Sequence, residues 1–132
     1  TPDVLIQYIS LKLTLKDRKW LIIGVYNPHK KIGKVFLENL SDVLDYHLSK
    51  YENIIILGDM NLEPSDEHLM NFLEIYNLEN LIKNKTCFKK TEGTCIDLIL
   101  TNRKSFLQHT GSIETGLSDF HHMIFTMFKS SF

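Results

Sequence analysis

Four short polar motifs stand at the ends of apolar runs in this chain: Tyr26-Asn27-Pro28, Gly58-Asp59-Met60-Asn61, Ile96-Asp97-Leu98 and Ser118-Asp119-Phe120-His121. Between them they supply three aspartates, two asparagines, a tyrosine and a histidine. Metal-assisted cleavage of a phosphodiester uses such groups: carboxylates to hold a cation or orient water, donors around the phosphoryl oxygens, and an imidazole to donate or move a proton. Each motif also has a plain reading. Asp59 and Asn61 could form a turn in which side chains bond nearby amides. Asp119 could cap a loop that carries two exposed histidines, and Tyr26 could be an ordinary strand-end tyrosine. Asp97 is harder to dismiss. It lies in an alternating run and faces the layer opposite Ile96 and Leu98. A carboxylate there needs either solvent or a partner, and histidine is a natural one. The argument for a site is the coincidence of all four motifs at strand ends.

The elements that must position these residues follow from periodicity. Residues 4–15 end in the alternation Leu11-Lys12-Leu13-Thr14-Leu15, which reads as a half-buried strand. Asp17-Arg18 is a candidate turn into a second strand, Lys19–Tyr26, buried on both faces and stopped by Pro28. From about Val35 to Lys50, Phe36, Leu37, Leu40, Val43, Leu44 and Leu48 recur at helical spacing. Ile54–Leu57 is a short buried strand. Ser65 can cap a second helix with Leu69, Phe72, Leu73 and Tyr76 inside. Residues 79–94 read as a loop with room for one helical turn. Ile96–Leu100, 109–115 and 122–129 are three further strands. The order β-β-α-β-α-β-β-β predicts an α/β fold, a mixed sheet with two main helices.

Composition bounds the function. The chain has 132 residues, 43% hydrophobic and 23% charged, with 15 basic against 16 acidic side chains and a net charge of -1. That balance suits one globular domain and excludes a protein held on nucleic acid by bulk charge. No apolar run is long enough to span a bilayer, so no membrane partner is expected. Cys87 and Cys95 lack metal-site spacing and read as reduced core thiols, which suggests an intracellular setting. Local lysine clusters are the candidates for nucleic-acid contact. Lys30, Lys31 and Lys34 follow the tyrosine motif; Lys83, Lys85, Lys89 and Lys90 form a second group; and Arg103-Lys104 follows the Asp97 strand. Each is equally readable as a solvated loop.

The motifs Tyr26-Asn27-Pro28, Gly58-Asp59-Met60-Asn61, Ile96-Asp97 and Ser118-Asp119 resemble the later motifs of the endonuclease/exonuclease/phosphatase superfamily. The longer stretches Thr94–Asn102 and Glu114–His121 resemble its apurinic-type endonuclease branch in non-LTR retrotransposons. The resemblance covers nearly the whole chain and implies a Mg²⁺- or Mn²⁺-dependent endonuclease acting on DNA. It implies that Asp59 aligns or deprotonates the attacking water and that Asn61 and Tyr26 bond the phosphate. Asp97 would orient the catalytic histidine, and Asp119 would lie near the metal. Nuclear localisation and a downstream reverse transcriptase domain are further implications.

Two departures from the family pattern shape the expectation. The family's earlier half carries an Asn and a Glu, the latter the main metal ligand, and nothing matching it precedes Thr1. Residues 1–132 are therefore read as a single partial domain, the second half of a four-layer α/β sandwich whose partner would be the missing N-terminal half. The family's histidine also directly follows the aspartate, where this chain has Phe120. His121 comes one step later, and one step along a strand turns a side chain to the opposite face. On that count Asp97 would lack its partner, unless a bulge or a later strand start delivers His121. The alternative to a nuclease fragment is thus an inactive remnant or a domesticated binding module of the same fold.

Overall fold

The computed structural model describes residues 7–28, 33–88, 93–118 and 120–130. Strands β1 (Gln7–Leu15) and β2 (Arg18–Tyr26) form an antiparallel hairpin. Its two-residue turn is Lys16-Asp17 rather than Asp17-Arg18. Both turn residues have positive φ, 49° and 66°, and Leu15 pairs with Arg18. That backbone matches the right-handed twist of the flanking strands. Helix α1 (Gly33–His47) then crosses over to β3 (Asn53–Asp59), which lies parallel to β2. Helix α2 (Glu67–Tyr76) leads to a two-residue strand β4 (Glu79–Asn80) and then to β5 (Asp97–Thr101), antiparallel to β3. The sheet order is β1-β2-β3-β5-β4, and β6 (Leu107–Ile113) with β7 (Met123–Phe128) makes a separate two-stranded sheet.

Alternation along β2 decides the layers. Leu21, Ile23 and Val25 are buried in one cluster with Phe36, Leu37, Leu40 and Leu44 of α1 and Leu69 and Phe72 of α2. The other face of β2 starts at Trp20, whose ring meets Phe106 and Phe128 edge-on at 5.9 and 4.9 Å. Moving towards Tyr26, that face opens. Gly24, Tyr26, Leu57 and Ile124 line a shallow trough of about 500 Å³. The second sheet therefore covers the start of β2 and leaves its end, where the polar motifs sit, uncovered. Strand β1 is an edge, and Tyr8, Ile9 and Leu11 on it are exposed.

Two local expectations change. The cap of α2 is Asp66, not Ser65: the Asp66 carboxylate accepts from the Leu69 amide at 3.0 Å. Among the described residues of 79–94 there is no helical turn; Glu79 and Asn80 extend the sheet instead, opposite Thr101 and Leu100.

Candidate active site

Three adjacent strands end in one row. Tyr26 of β2 pairs with Asp59 of β3, and Asp59 pairs with Asp97 of β5. Residues in register across a sheet share a face, so the three side chains leave the sheet on the same side. β3 can bring its carboxylate so near β2 only because residue 58 is glycine. Gly58 has φ +139°, and a Cβ there would lie 2.0 Å from the Val25 carbonyl oxygen.

Beyond β3 the chain turns through a set of side chain–backbone bonds. The Asn61 amide donates to Asp59 Oδ1 at 3.1 Å, and Asn61 itself sits at φ 51°. Asn61 Nδ2 donates to the Asn27 carbonyl at 2.6 Å, while Asn27 Nδ2 donates to the Met60 carbonyl at 3.0 Å. Asn27 is buried, so this reciprocal pair locks the ends of β2 and β3 together. The turn reading of Asp59 and Asn61 is correct, and the turn is what aims the Asp59 side chain.

The histidine arrives from a different direction. Residues 120–122 lie against Thr86–Phe88. Phe88 donates its amide to the Phe120 carbonyl at 2.7 Å, and His122 donates to the Thr86 carbonyl at 2.8 Å. Cys87 and His121 are thereby the directly opposed, non-hydrogen-bonded pair of an antiparallel bridge, the kind in which side chains approach most closely. Ser118 Oγ accepts from the His121 amide at 3.2 Å and fixes the turn before it. Asp97 is tied to the same segment, since its amide donates to the buried Thr86 hydroxyl at 3.1 Å. As a result His121 Nδ1 lies 2.9 Å from Asp97 Oδ2, and Nε2 lies 4.0 Å from Asp59 Oδ2 and 3.5 Å from Cys87 Sγ. With the Nδ1 proton donated to Asp97, the Nε2 edge faces Asp59 and Cys87.

This overturns the expectation that Phe120 leaves Asp97 unpartnered. Strand β7 begins only at Met123, so His121 is outside its alternation and takes its facing from the bridge to Cys87. Phe120 is 48% exposed. Asp97, at 7% exposure, is not a solvent-facing strand residue either.

With this geometry in view, the comparison with known proteins is direct. Residues 20–125 match the endonuclease-reverse transcriptase family. The chain belongs to that family. Its fold is similar to the endonuclease domain of TRAS1, a telomere-specific non-LTR retrotransposon, with a TM-score of 0.72 at 16% identity over 93% of this chain and 67% of that one. It is also similar to an endonuclease/exonuclease/phosphatase family protein of Leptotrichia buccalis (TM-score 0.66, 15% identity, 92% of this chain and 52% of that one). A third likeness is beta toxin from Staphylococcus aureus, a mutant with bound magnesium ions (TM-score 0.55, 13% identity, 93% and 54%). The chain thus spans between half and two thirds of these structures. No curated protein matches it.

In this member of the endonuclease-reverse transcriptase family, Asp59, Asn61, Asp97 and His121 converge, with Tyr26 at the rim of the same row and 46% exposed. Asp119 lies outside the described residues, as do Lys30, Lys31, Lys89 and Lys90. Lys34 is exposed in the first turn of α1, which packs near the Asn61 turn through Gly33 and Leu62. Arg103 does not rim the site. Its Nε donates to Asn53 Oδ1 at 2.7 Å, at the start of β3, whereas Asp59 ends that strand. Seven strand residues put the two about 20 Å apart.

Sequence reading missed Thr86 and Cys87, which place Asp97 and His121 by bonds that have no motif. The donor set fits a divalent cation in part. Ligand atoms of Asp59, Asp97 and His121 lie within 4.8 Å of one another. Asp97 is engaged by the imidazole, so Asp59 is the carboxylate here that suits magnesium, which takes one or two carboxylates and completes its shell with water and phosphate oxygens. Nearby, burial pushes the Cys95 thiol up from its ordinary value, with Glu63 and Asp97 adding to the effect.

Proposed function

We propose that this chain carries the Asp-His-Asp portion of a divalent-metal-dependent endonuclease site that hydrolyses DNA phosphodiester bonds. The observation that carries the reading is the placement of His121 between Asp97, at 2.9 Å, and Asp59, at 4.0 Å, at the ends of neighbouring strands. Asp97 holds the imidazole in one tautomer and supports its positive charge. His121 Nε2 is then a donor to a phosphoryl oxygen as negative charge builds on it. Asp59, its Oδ1 steadied by the Asn61 amide, orients the attacking water and accepts its proton. Tyr26 and Asn61 border the phosphate on the β2 side. A magnesium or manganese ion, near Asp119 as the family resemblance implies and with Asp59 as the described carboxylate suited to it, would supply charge neutralisation when bound. The partners proposed are DNA and a reverse transcriptase domain, and the setting a nucleus.

The rival reading, an inactive remnant, drew its support from the absent metal-binding Glu and from Phe120. The contact between His121 and Asp97 removes the second of these. The test is plasmid nicking with Mg²⁺ by the full-length protein. His121→Ala and Asp59→Ala are each expected to lower nicking by about 10²–10³-fold, the loss typical of a transition-state donor. Phe120→His is expected to be neutral. Activity restored or raised by Phe120→His, with His121→Ala silent, would refute the assignment.

A further inference from the structure

Cys87 is the group at this site for which phosphodiester hydrolysis has no use. Its sulfur lies 3.5 Å from His121 Nε2, on the edge of the imidazole turned away from Asp97. Zinc bound tetrahedrally sits about 2.3 Å from a thiolate and about 2.0–2.1 Å from an imidazole nitrogen, so the sulfur and nitrogen of one zinc ion are about 3.5 Å apart. The observed separation, that of a sulfur–nitrogen hydrogen bond, equals that tetrahedral edge. Asp59 Oδ2, at 4.0 Å from the same nitrogen, stands only about 0.6 Å beyond the corresponding oxygen–nitrogen edge of about 3.4 Å.

The surroundings of the histidine point the same way. Metal-bound imidazoles almost always donate their other N–H to a carboxylate, which fixes the tautomer and raises the basicity of the ligating nitrogen. Asp97 provides that carboxylate at 2.9 Å. The donor types also discriminate. Thiolate and imidazole favour zinc and related soft or borderline ions, whereas magnesium favours oxygen. His121 is partly exposed and lines a cavity of about 310 Å³ with Phe88, Ser118 and Phe120.

We propose that Cys87, His121 and Asp59 form a zinc site that shares Asp59 with the magnesium site, with its fourth position open to water. Binding releases the Cys87 thiol proton to solvent, and the sulfur, the imidazole nitrogen and one Asp59 oxygen take three corners of the tetrahedron. Because Nε2 is then coordinated, it cannot donate to a phosphate. Zinc therefore inhibits the nuclease by capturing its histidine, a consequence that rests on the proposed hydrolytic role; zinc binding itself does not.

The experiment uses Co²⁺ as a spectroscopic stand-in for zinc, added to the magnesium-free protein. Expected are the visible bands of tetrahedral cobalt and a thiolate-to-cobalt charge-transfer band, both bleached by a single equivalent of Zn²⁺. Cys87→Ser should remove the charge-transfer band and weaken Zn²⁺ binding at least tenfold by calorimetry, and His121→Asn should do the same. Cys95→Ser should leave both unchanged. Octahedral cobalt without the charge-transfer band, or Zn²⁺ binding unchanged in both Cys87→Ser and His121→Asn, would overturn the proposal. So would loss of the band in Cys95→Ser. In nicking assays at saturating Mg²⁺, micromolar Zn²⁺ should inhibit the wild type and spare Cys87→Ser. A protein that forms the thiolate–cobalt complex yet never nicks DNA would refute the nuclease reading and leave the zinc site standing.

Discussion

Replacing Gly58 by alanine tests whether the approach of β3 to β2 is as tight as the geometry says. The new Cβ would sit 2.0 Å from the Val25 carbonyl oxygen and 3.0 Å from its carbon, and both are backbone atoms of a central strand. No rotamer change can relieve that contact, so the two strands must separate by about 1 Å or the peptide must rotate. The φ of +139° adds strain of about 1–3 kcal/mol for a residue with a Cβ. Two ladder bonds weakened beside Val25 add about 1 kcal/mol each. The sum, about 3–5 kcal/mol, is a large part of the 5–15 kcal/mol that holds an ordinary domain folded. At about 3–5 °C per kcal/mol for a chain of this size, the melting temperature should fall by about 10–20 °C. Gly116 is the control. It also has positive φ, +77°, but a Cβ there meets nothing within 4 Å, so alanine should cost only about 1–2 kcal/mol. Thermal unfolding followed by circular dichroism compares the two directly. If Gly58→Ala melts within a few degrees of Gly116→Ala, the strands are not held at this distance and the aim of Asp59 has another cause.

Three other outcomes are open to measurement. Arg103→Ala should destabilise the fold by about 1 kcal/mol through loss of its bond to Asn53, and leave the salt dependence of DNA binding unchanged, whereas Lys34→Ala should lower that slope by about one; a changed slope for Arg103→Ala would put its side chain on the DNA. Burial holds the Cys95 thiol protonated above its ordinary 9.0, so the unfolded chain loses this proton first. Stability should therefore decline as pH rises through about 9, and Cys95→Ala should flatten that decline in denaturant titrations; an unchanged pH slope would deny the effect. Leu11→Lys, on the exposed edge strand β1, should reduce self-association in light scattering without lowering the melting temperature; a lower melting temperature would mean Leu11 is packed in solution.

The fold was legible because its signals are local. Helical spacing from Phe36 to Leu44 and the apolar run Ile54–Leu57 each report burial by neighbours in the same segment. Alternation in Leu11–Leu15 placed a strand correctly, although that strand is an exposed edge with Leu13 and Leu15 only half-buried. The pairing of Tyr26, Asp59 and Asp97 in one row followed, because strand ends carry the motifs. What failed was anything decided by a partner distant in sequence. Arg103 looked like a phosphate contact from its neighbours, but its bond partner is fifty residues away, on the far side of the sheet. Cys87 looked like a core thiol, and it is buried. Its facing towards His121 comes from a bridge between residues thirty-four apart.

The histidine shows why counting residues from a motif is unsafe at the mouth of a strand. The inference that His121 points away from Asp97 assumed that the alternation of β7 extends back through residue 120. Alternation belongs to paired backbone, and β7 pairs with β6 only from Met123 onward. Residues 120–122 pair instead with Thr86–Phe88, through bonds from Phe88 to Phe120 and from His122 to Thr86. The choice of partner strand resets which side chains share a face. The Thr86 segment also holds the Asp97 amide, so the same three residues set both members of the hydrogen-bonded pair. An aspartate followed by histidine at one remove is thus compatible with the same chemistry, provided the bridge to Cys87 is kept. The family pattern matches this chain through residue 125 despite Phe120, and the backbone pairing of residues 120–122 shows how it can.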